Sequence, residues 1–143
     1  MPPEPPDRRL LRTLSIAYQL VQSIALVAYW IVLIAVPSAR APFVVPGAPD
    51  STVLAFALGD LALYAVASLI AAIALIRRRR VWPTLLVHAG AAMYAASYAL
   101  LLAVLEPSRW LGALMMLPAL IVPPLMAWLY RPTYRGLAPS EPT

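Results

Sequence analysis

The sequence predicts an all-α membrane protein: an up-down-up-down bundle of four transmembrane helices with both termini in the cytoplasm. The chain of 143 residues is 62% hydrophobic and 12% charged, whereas soluble domains are about 45–50% apolar and about 25% charged. A soluble domain of this size exposes too much surface to bury so many apolar side chains. Four apolar runs, each near the roughly 20 residues that cross a bilayer, complete the argument.

Prolines and charged residues mark the ends of these four runs. Pro37 ends the first, Arg77–Arg80 end the second, and Glu106 and Pro107 separate the third from the fourth. At 1.5 Å rise per residue, each run is long enough to cross the hydrocarbon layer. We predict one membrane domain over 1–143, with spans at about 14–36, 53–76, 83–105 and 109–130, a Pro-rich loop at 37–52, and polar tails at 1–12 and 131–143.

Residues next to the apolar runs predict where and how each helix begins. Residues 1–7 are rich in proline, which lacks the amide donor, so we expect no helix to start there. Asp50, Ser51 or Thr52 is expected to cap the second helix and Ser108 the fourth, because such side chains accept from free amides of the first turn. Trp82-Pro83 should open the third, since proline suits a first turn.

The arginines predict the orientation. Nine of the eleven fall on one side of a four-span arrangement, namely Arg8, Arg9, Arg12, Arg77, Arg78, Arg79, Arg80, Arg131 and Arg135. By the positive-inside rule that side is cytoplasmic. The net charge of +5 is thereby explained by topology, and no nucleic-acid partner is expected. Trp82, Trp110, Trp128 and Tyr130 lie near span ends, as in an aromatic belt.

The composition indicates the origin of the protein. Every basic residue is arginine, and alanine, proline and leucine are abundant, which indicates a GC-rich bacterial gene and a multi-pass protein of the bacterial inner membrane.

The alternative for the first span is a signal peptide, because Ala39-Arg40-Ala41 fits an A-x-A cleavage pattern. The apolar run is longer than the 7–15 residues of a typical signal peptide, which favours a retained span.

Small and polar residues at helical spacing predict the interior face of each span, since in lipid such residues let helices approach and bond. Pro118, Pro123 and Pro124 predict kinks in the fourth span. The predicted interior stripes are Ser15, Tyr18, Gln22, Ala25 and Tyr29, with Gln19 beside them; Ala57, Asp60, Tyr64, Ala67, Ala71 and Ala74; His88, Ala91, Ala92, Ala95 and Ala99, flanked by Tyr94 and Tyr98; and Gly112, Met116, Ala119, Pro123 and Tyr130.

Asp60 is the strongest candidate for function. A carboxyl inside a span costs about 2.5–3.5 kcal/mol on insertion scales, and such residues tend to be functional. It could carry a proton, anchor a cation or act as an acid. The structural alternative is a hydrogen bond to Tyr94 or Tyr98, which lie at a similar depth with Tyr29.

His88 is the second candidate. Counting along the helices places it about 9 Å from the cytoplasmic end, near Gln19 and Gln22 and about 10 Å from the layer of Asp60. A histidine there could bind a metal cofactor or relay protons. The interpretation we favour is a neutral imidazole that bonds Gln19 or Gln22 across the first and third spans.

The sequence contains no cysteine, a single histidine and no short catalytic motif, so no cofactor or metal is expected. We predict an accessory subunit or a small bundle that binds an apolar molecule or lipid without catalysis of its own, alone, as a homo-oligomer or in a larger membrane complex. The alternatives are a membrane-embedded enzyme acting on a lipid or isoprenoid-like substrate through Asp60 with Tyr94 or Tyr98, and an oligomeric proton-coupled transporter. The predicted ligand-binding residues are Asp60, Tyr64, Tyr29, Tyr94, Tyr98, His88 and Gln22.

Overall fold

The computed structural model describes residues 6–131, apart from the side chain of Arg109, and this part of the chain is helical without strands. The outer parts of the predicted tails (1–5 and 132–143), with Arg135, lie outside the described residues. Four helices are long and apolar enough to cross a membrane, one for each predicted span. They are α1 (Pro6–Ala35), α2 (Asp50–Arg77), α3 (Val81–Leu105) and α4 (Trp110–Leu129).

The start of α1 differs from the prediction. The helix begins at Pro6, within the segment that we expected to be non-helical. Proline is tolerated in the first turn because the amide that it lacks has no partner there in any case. Asp7 in the same turn carries a charge that the helix dipole favours.

The predicted loop at 37–52 is partly helical. Short 3₁₀ segments occupy Pro37–Phe43 and Asp50–Phe56, and the second of these is the first part of α2. The capping predictions were wrong, because the side chains have other partners. Asp50 pairs with Arg40, and the hydroxyl of Thr52 donates to the carbonyl of Pro49.

The other two connections are short. A hairpin turn joins α2 to α3, and Arg78 and Arg80 in it adopt left-handed backbone conformations with φ of 54° and 52°. Pro83 lies in the first turn of α3, as predicted. A 3₁₀ turn at Pro107–Arg109 leads into α4. Here Ser108 donates to the carboxylate of Glu106, 2.8 Å away, instead of capping the helix.

The buried faces of α2, α3 and α4 follow the predicted stripes. Small residues such as Ala71, Ala92 and Ala119 are fully or almost fully buried, which allows these helices to pack closely. Most of the large leucine, isoleucine and valine side chains face outward.

On α1 the buried face differs in part from the predicted one. Ser15 of the predicted stripe and Gln19 beside it are buried, but Leu26, Trp30 and Leu33 are buried where Ala25 was predicted, and Ala25 is exposed. The difference has a physical cause, because Gln19 and Trp30 both point inward to hydrogen-bond partners on other helices.

Candidate functional site

A cavity of about 300 Å³ lies between the four helices and the Pro37–Phe43 segment. We call it the Asp60 cavity. Small residues of α3 and α4 leave the space open, and aromatic side chains of α1, α2 and α3 surround it. Its wall consists of Gln22, Ala25, Leu26, Tyr29, Trp30, Phe43, Val53, Phe56, Asp60, Tyr94, Ala95, Ser97, Tyr98, Ala99, Leu102, Gly112, Met115, Met116, Pro118 and Ala119.

Asp60 is the one acidic side chain of this wall. Its residue is 8% exposed, and its Oδ2 accepts a hydrogen bond of 3.1 Å from Nε1 of Trp30 on α1. Its Oδ1 accepts no hydrogen bond from the described residues. The carboxyl group of this lining residue therefore keeps acceptor capacity.

The backbone around Asp60 is unusual. Residues Asp60–Ala65 form a π-helical segment inside α2. Such segments are rare and occur frequently at functional sites, and they rotate the side chains that follow relative to a regular α-helix. The hydroxyl of Ser23 on α1 donates to the carbonyl of Ala65 at the end of this segment, with an O–O distance of 3.2 Å. A neighbouring helix thus stabilises the altered backbone.

Aromatic rings form much of the cavity wall. Tyr29 packs edge-to-face against Trp30 and Phe43, with ring centroids 5.4 and 5.5 Å apart. Phe56 stacks on Tyr98 with centroids 4.0 Å apart. Both phenylalanines of the chain are in this wall. These rings line the same space as Asp60.

The segment between α1 and α2 closes one end of the cavity, and Arg40 holds it in place. The guanidinium donates from Nε to the carbonyl of Leu33 (2.6 Å) and from Nη2 to that of Ile34 (3.0 Å). Its Nη1 lies 3.1 Å from Oδ2 of Asp50. The buried arginine thus satisfies free carbonyls at the end of α1 and ties the segment to the start of α2. This places Phe43 over the cavity.

Contacts of α3 and α4 complete the wall. The hydroxyl of Tyr98 donates to the carbonyl of Phe43 (3.2 Å), which links α3 to the closing segment. A Cβ atom added at Gly112 of α4 would meet the ring of Phe43 at 3.5 Å and Cβ of Ala99 at 3.9 Å. The ring therefore lies directly against the glycine backbone.

A second polar group, centred on Gln19, lies outside this wall. Nε2 of Gln19 is 3.0 Å from Nδ1 of His88 and 3.5 Å from Sδ of Met126. The hydroxyl oxygen of Ser68 lies 2.7 Å from Oε1 of Gln19 and 2.9 Å from its backbone carbonyl oxygen, and the single hydroxyl proton is shared between these two acceptors. We call these four residues the Gln19 cluster. It joins all four helices, and both Gln19 and His88 are completely buried.

These contacts define the chemistry of His88. With the amide of Gln19 in this orientation, its Nε2 donates to Nδ1, and a neutral imidazole then carries its proton on Nε2, which has no hydrogen-bond partner among the described residues. The ring stacks on that of Tyr64, with centroids 5.5 Å apart. The structure agrees with the interpretation that we favoured from the sequence, a bond between His88 and Gln19 across the first and third spans.

Of the seven predicted ligand-binding residues, five line the cavity: Asp60, Tyr29, Tyr94, Tyr98 and Gln22. Tyr64 and His88 are not among its lining residues. That any of the seven binds a ligand stays a prediction. The hydrogen bond from Tyr94 or Tyr98 that we gave as the structural alternative for Asp60 is not formed, because the partner of Asp60 is Trp30.

The sequence-based prediction did not include Trp30 among the residues around Asp60. Its indole needs a hydrogen-bond partner when buried, and an aspartate within a span needs a donor, so this pair was open to prediction. Trp30 also lies four residues from Leu26 and eleven from Gln19, on one helical face.

Two further properties bear on the functional alternatives. Among residues 6–131, no three His, Cys, Asp or Glu side chains are grouped so that they could hold a metal ion. The hydrogen bonds of the same residues do not connect Asp60 with the Gln19 cluster.

Comparisons with protein-family models, with curated proteins and with solved structures found no match.

Proposed function

We propose that the chain is a multi-pass protein of the bacterial inner membrane that binds a small, mainly apolar molecule or lipid in the Asp60 cavity, without catalysis of its own. The observation that carries this proposal is the cavity itself, whose volume of about 300 Å³ is at the lower end of the range typical of small-molecule sites. Its wall combines many apolar and aromatic groups with few polar ones, which is also typical of such sites.

We further propose an up-down-up-down bundle with both termini in the cytoplasm. Contacts between the early part of α1 and the late part of α4, such as Tyr130 with Ser15, support opposite directions for these two helices. The exposed arginines at the α2–α3 turn support a cytoplasmic position for that turn. Trp82, Trp110 and Trp128 are exposed near helix ends, as expected in an aromatic belt.

The orientation can be tested with single cysteines, because the chain contains none. In intact bacterial cells, a membrane-impermeant maleimide should label Ser38→Cys but leave Arg79→Cys unlabelled until the cells are opened. Labelling of Arg79→Cys in intact cells would contradict the proposed orientation.

Ligand binding can be tested by native mass spectrometry of the protein released from mild detergent. Wild type should retain a small molecule or lipid that Ala99→Leu, which fills part of the cavity wall, does not retain. The same spectra give the oligomeric state and any partner subunit. Equal amounts of the same adducts in both proteins, or none in either, would contradict binding in the cavity.

A further inference from the structure

The charges of the cavity wall indicate what kind of molecule it would take. Asp60 is acidic, and none of the other lining residues is an arginine or a histidine. The one ion pair between described side chains, Arg40 with Asp50, is outside the wall. Removing an unpaired charge from water is costly, and a counter-ion offsets much of that cost. The wall therefore disfavours anions and offers an unpaired acid to a cation.

The aromatic rings favour the same class of ligand. Tyr29, Trp30, Phe43, Phe56, Tyr94 and Tyr98 all line the cavity. The face of an aromatic ring attracts a cation within about 6 Å of its centroid, and the attraction reaches about 2 kcal/mol when water is excluded. Enclosures of several rings are the usual recognition site for quaternary ammonium groups.

The single partner of Asp60 leaves the carboxyl group available. Nε1 of Trp30 binds Oδ2, which holds the group in position, whereas Oδ1 accepts no hydrogen bond from the described residues. A bound ammonium group would interact with Oδ1 without displacing the indole.

Building on the ligand-binding role proposed above, we infer that the occupant of the Asp60 cavity is a small apolar monocation, an amine or quaternary ammonium group attached to an aromatic or aliphatic body. Asp60 is its counter-ion, and the aromatic rings surround its charged and apolar parts. The volume of about 300 Å³ limits the body to a small one.

Two probes of equal shape separate charge from apolar fit. The cation is para-fluorobenzyltrimethylammonium, and the neutral probe is the para-fluoro derivative of neopentylbenzene, in which carbon replaces the charged nitrogen. Both are titrated into protein in phosphatidylcholine nanodiscs and followed by fluorine NMR, with empty nanodiscs as the control for partition into lipid. The proteins are wild type, Asp60→Asn and Ala99→Leu, each checked for helical content by circular dichroism.

Wild type should bind the cation at least about tenfold more tightly than the neutral probe. Asp60→Asn should lose this preference while its affinity for the neutral probe stays within about twofold. Ala99→Leu should bind both probes weakly. Equal affinity of wild type for the two probes would overturn the cation assignment and leave the proposed ligand-binding function standing.

Failure of folded wild type to bind either probe above the empty-nanodisc control would overturn both proposals. The comparison of the two probes on wild type needs no variant, so it decides the cation assignment even if Asp60→Asn does not fold. Retention of the cation preference by folded Asp60→Asn would overturn the role of the carboxyl group.

Discussion

The Gln19 cluster and the Asp60 cavity both place polar side chains between the helices, yet they differ in how that polarity is satisfied. In the cluster, Gln19 has partners on three other helices and is completely buried, and only Nε2 of His88 lacks a hydrogen-bond partner among the described residues. In the cavity, Asp60 has one protein partner and lines about 300 Å³ of space. A buried polar group with several protein partners stabilises helix packing, whereas an incompletely satisfied group beside a space is suited to bind a molecule.

The largest difference between the regions should appear when each loses a glutamine side chain. Gln19→Ala removes packed volume and leaves buried partners unsatisfied, so we expect it to lower the free energy of unfolding by about 2–4 kcal/mol. The matched control is Gln22→Ala on the same helix, since Gln22 is half-buried beside the cavity. It should lower the same quantity by less than about 1 kcal/mol.

Reversible unfolding of detergent-solubilised protein by sodium dodecyl sulfate provides the measurement. Similar losses in the two variants would show that the Gln19 cluster is no more important for packing than the cavity wall.

The closing segment of the cavity depends on Arg40. Arg40→Ala removes charged hydrogen bonds to two carbonyls of α1 and the pair with Asp50, and should lower the unfolding free energy by about 2–3 kcal/mol. Asp50→Asn removes only the ion pair, in which the side chain of Asp50 is 55% exposed, and should cost less than about 1 kcal/mol. If the two variants lose equal stability, the ion pair and not the bonds to α1 holds the segment.

The bond between Trp30 and Asp60 should have an intermediate effect. Trp30→Phe keeps a buried ring but removes the indole donor, and we expect a loss of about 1–2 kcal/mol in unfolding free energy. A double-mutant cycle with Asp60→Ala, which has no side-chain acceptor, isolates the interaction. Additive effects of the two substitutions would show that the hydrogen bond contributes nothing to stability.

The smallest effect on stability should come from the residue with the largest proposed role in binding. Asp60→Asn keeps the shape of the side chain and should change the unfolding free energy by no more than about 1 kcal/mol. It should nevertheless impair ligand binding more than Gln22→Ala does, measured as retention of the bound molecule in native mass spectra. Equal and small effects of both variants on binding would exclude Asp60 as the site.

Much of the fold could be predicted because membrane insertion is encoded locally. Apolar runs ended by proline or arginine predicted the four helices, and small residues at helical spacing predicted much of the buried faces of α2, α3 and α4. The sequence did not predict that α1 begins at Pro6 or that its buried face includes Leu26, Trp30 and Leu33. The face depends on Gln19 and Trp30 meeting partners on other helices, which residue spacing along α1 does not contain.

Part of the candidate site could also be predicted from local features of the sequence. Asp60 was identified because it is an acidic residue within an apolar run. Counting residues along the helices placed Tyr29, Tyr94 and Tyr98 at a similar depth. The π-helical segment has no local sequence signal, because it depends on tertiary contacts such as that of Ser23 with Ala65. The contribution of Phe43 depends on the fold of the 37–52 segment around Arg40, which its prolines indicated only as a loop.

One pair of matched substitutions tests the difference between the two regions most directly. Ala71, fully buried beside the Gln19 cluster, and Ala99, on the cavity wall, are each replaced by leucine, and the free energy of unfolding is measured for both. Overpacking should make Ala71→Leu about 1–3 kcal/mol less stable than wild type, whereas Ala99→Leu should be as stable as wild type or more stable, because it fills an existing space. Equal destabilisation by the two substitutions would contradict the existence of a cavity beside Asp60.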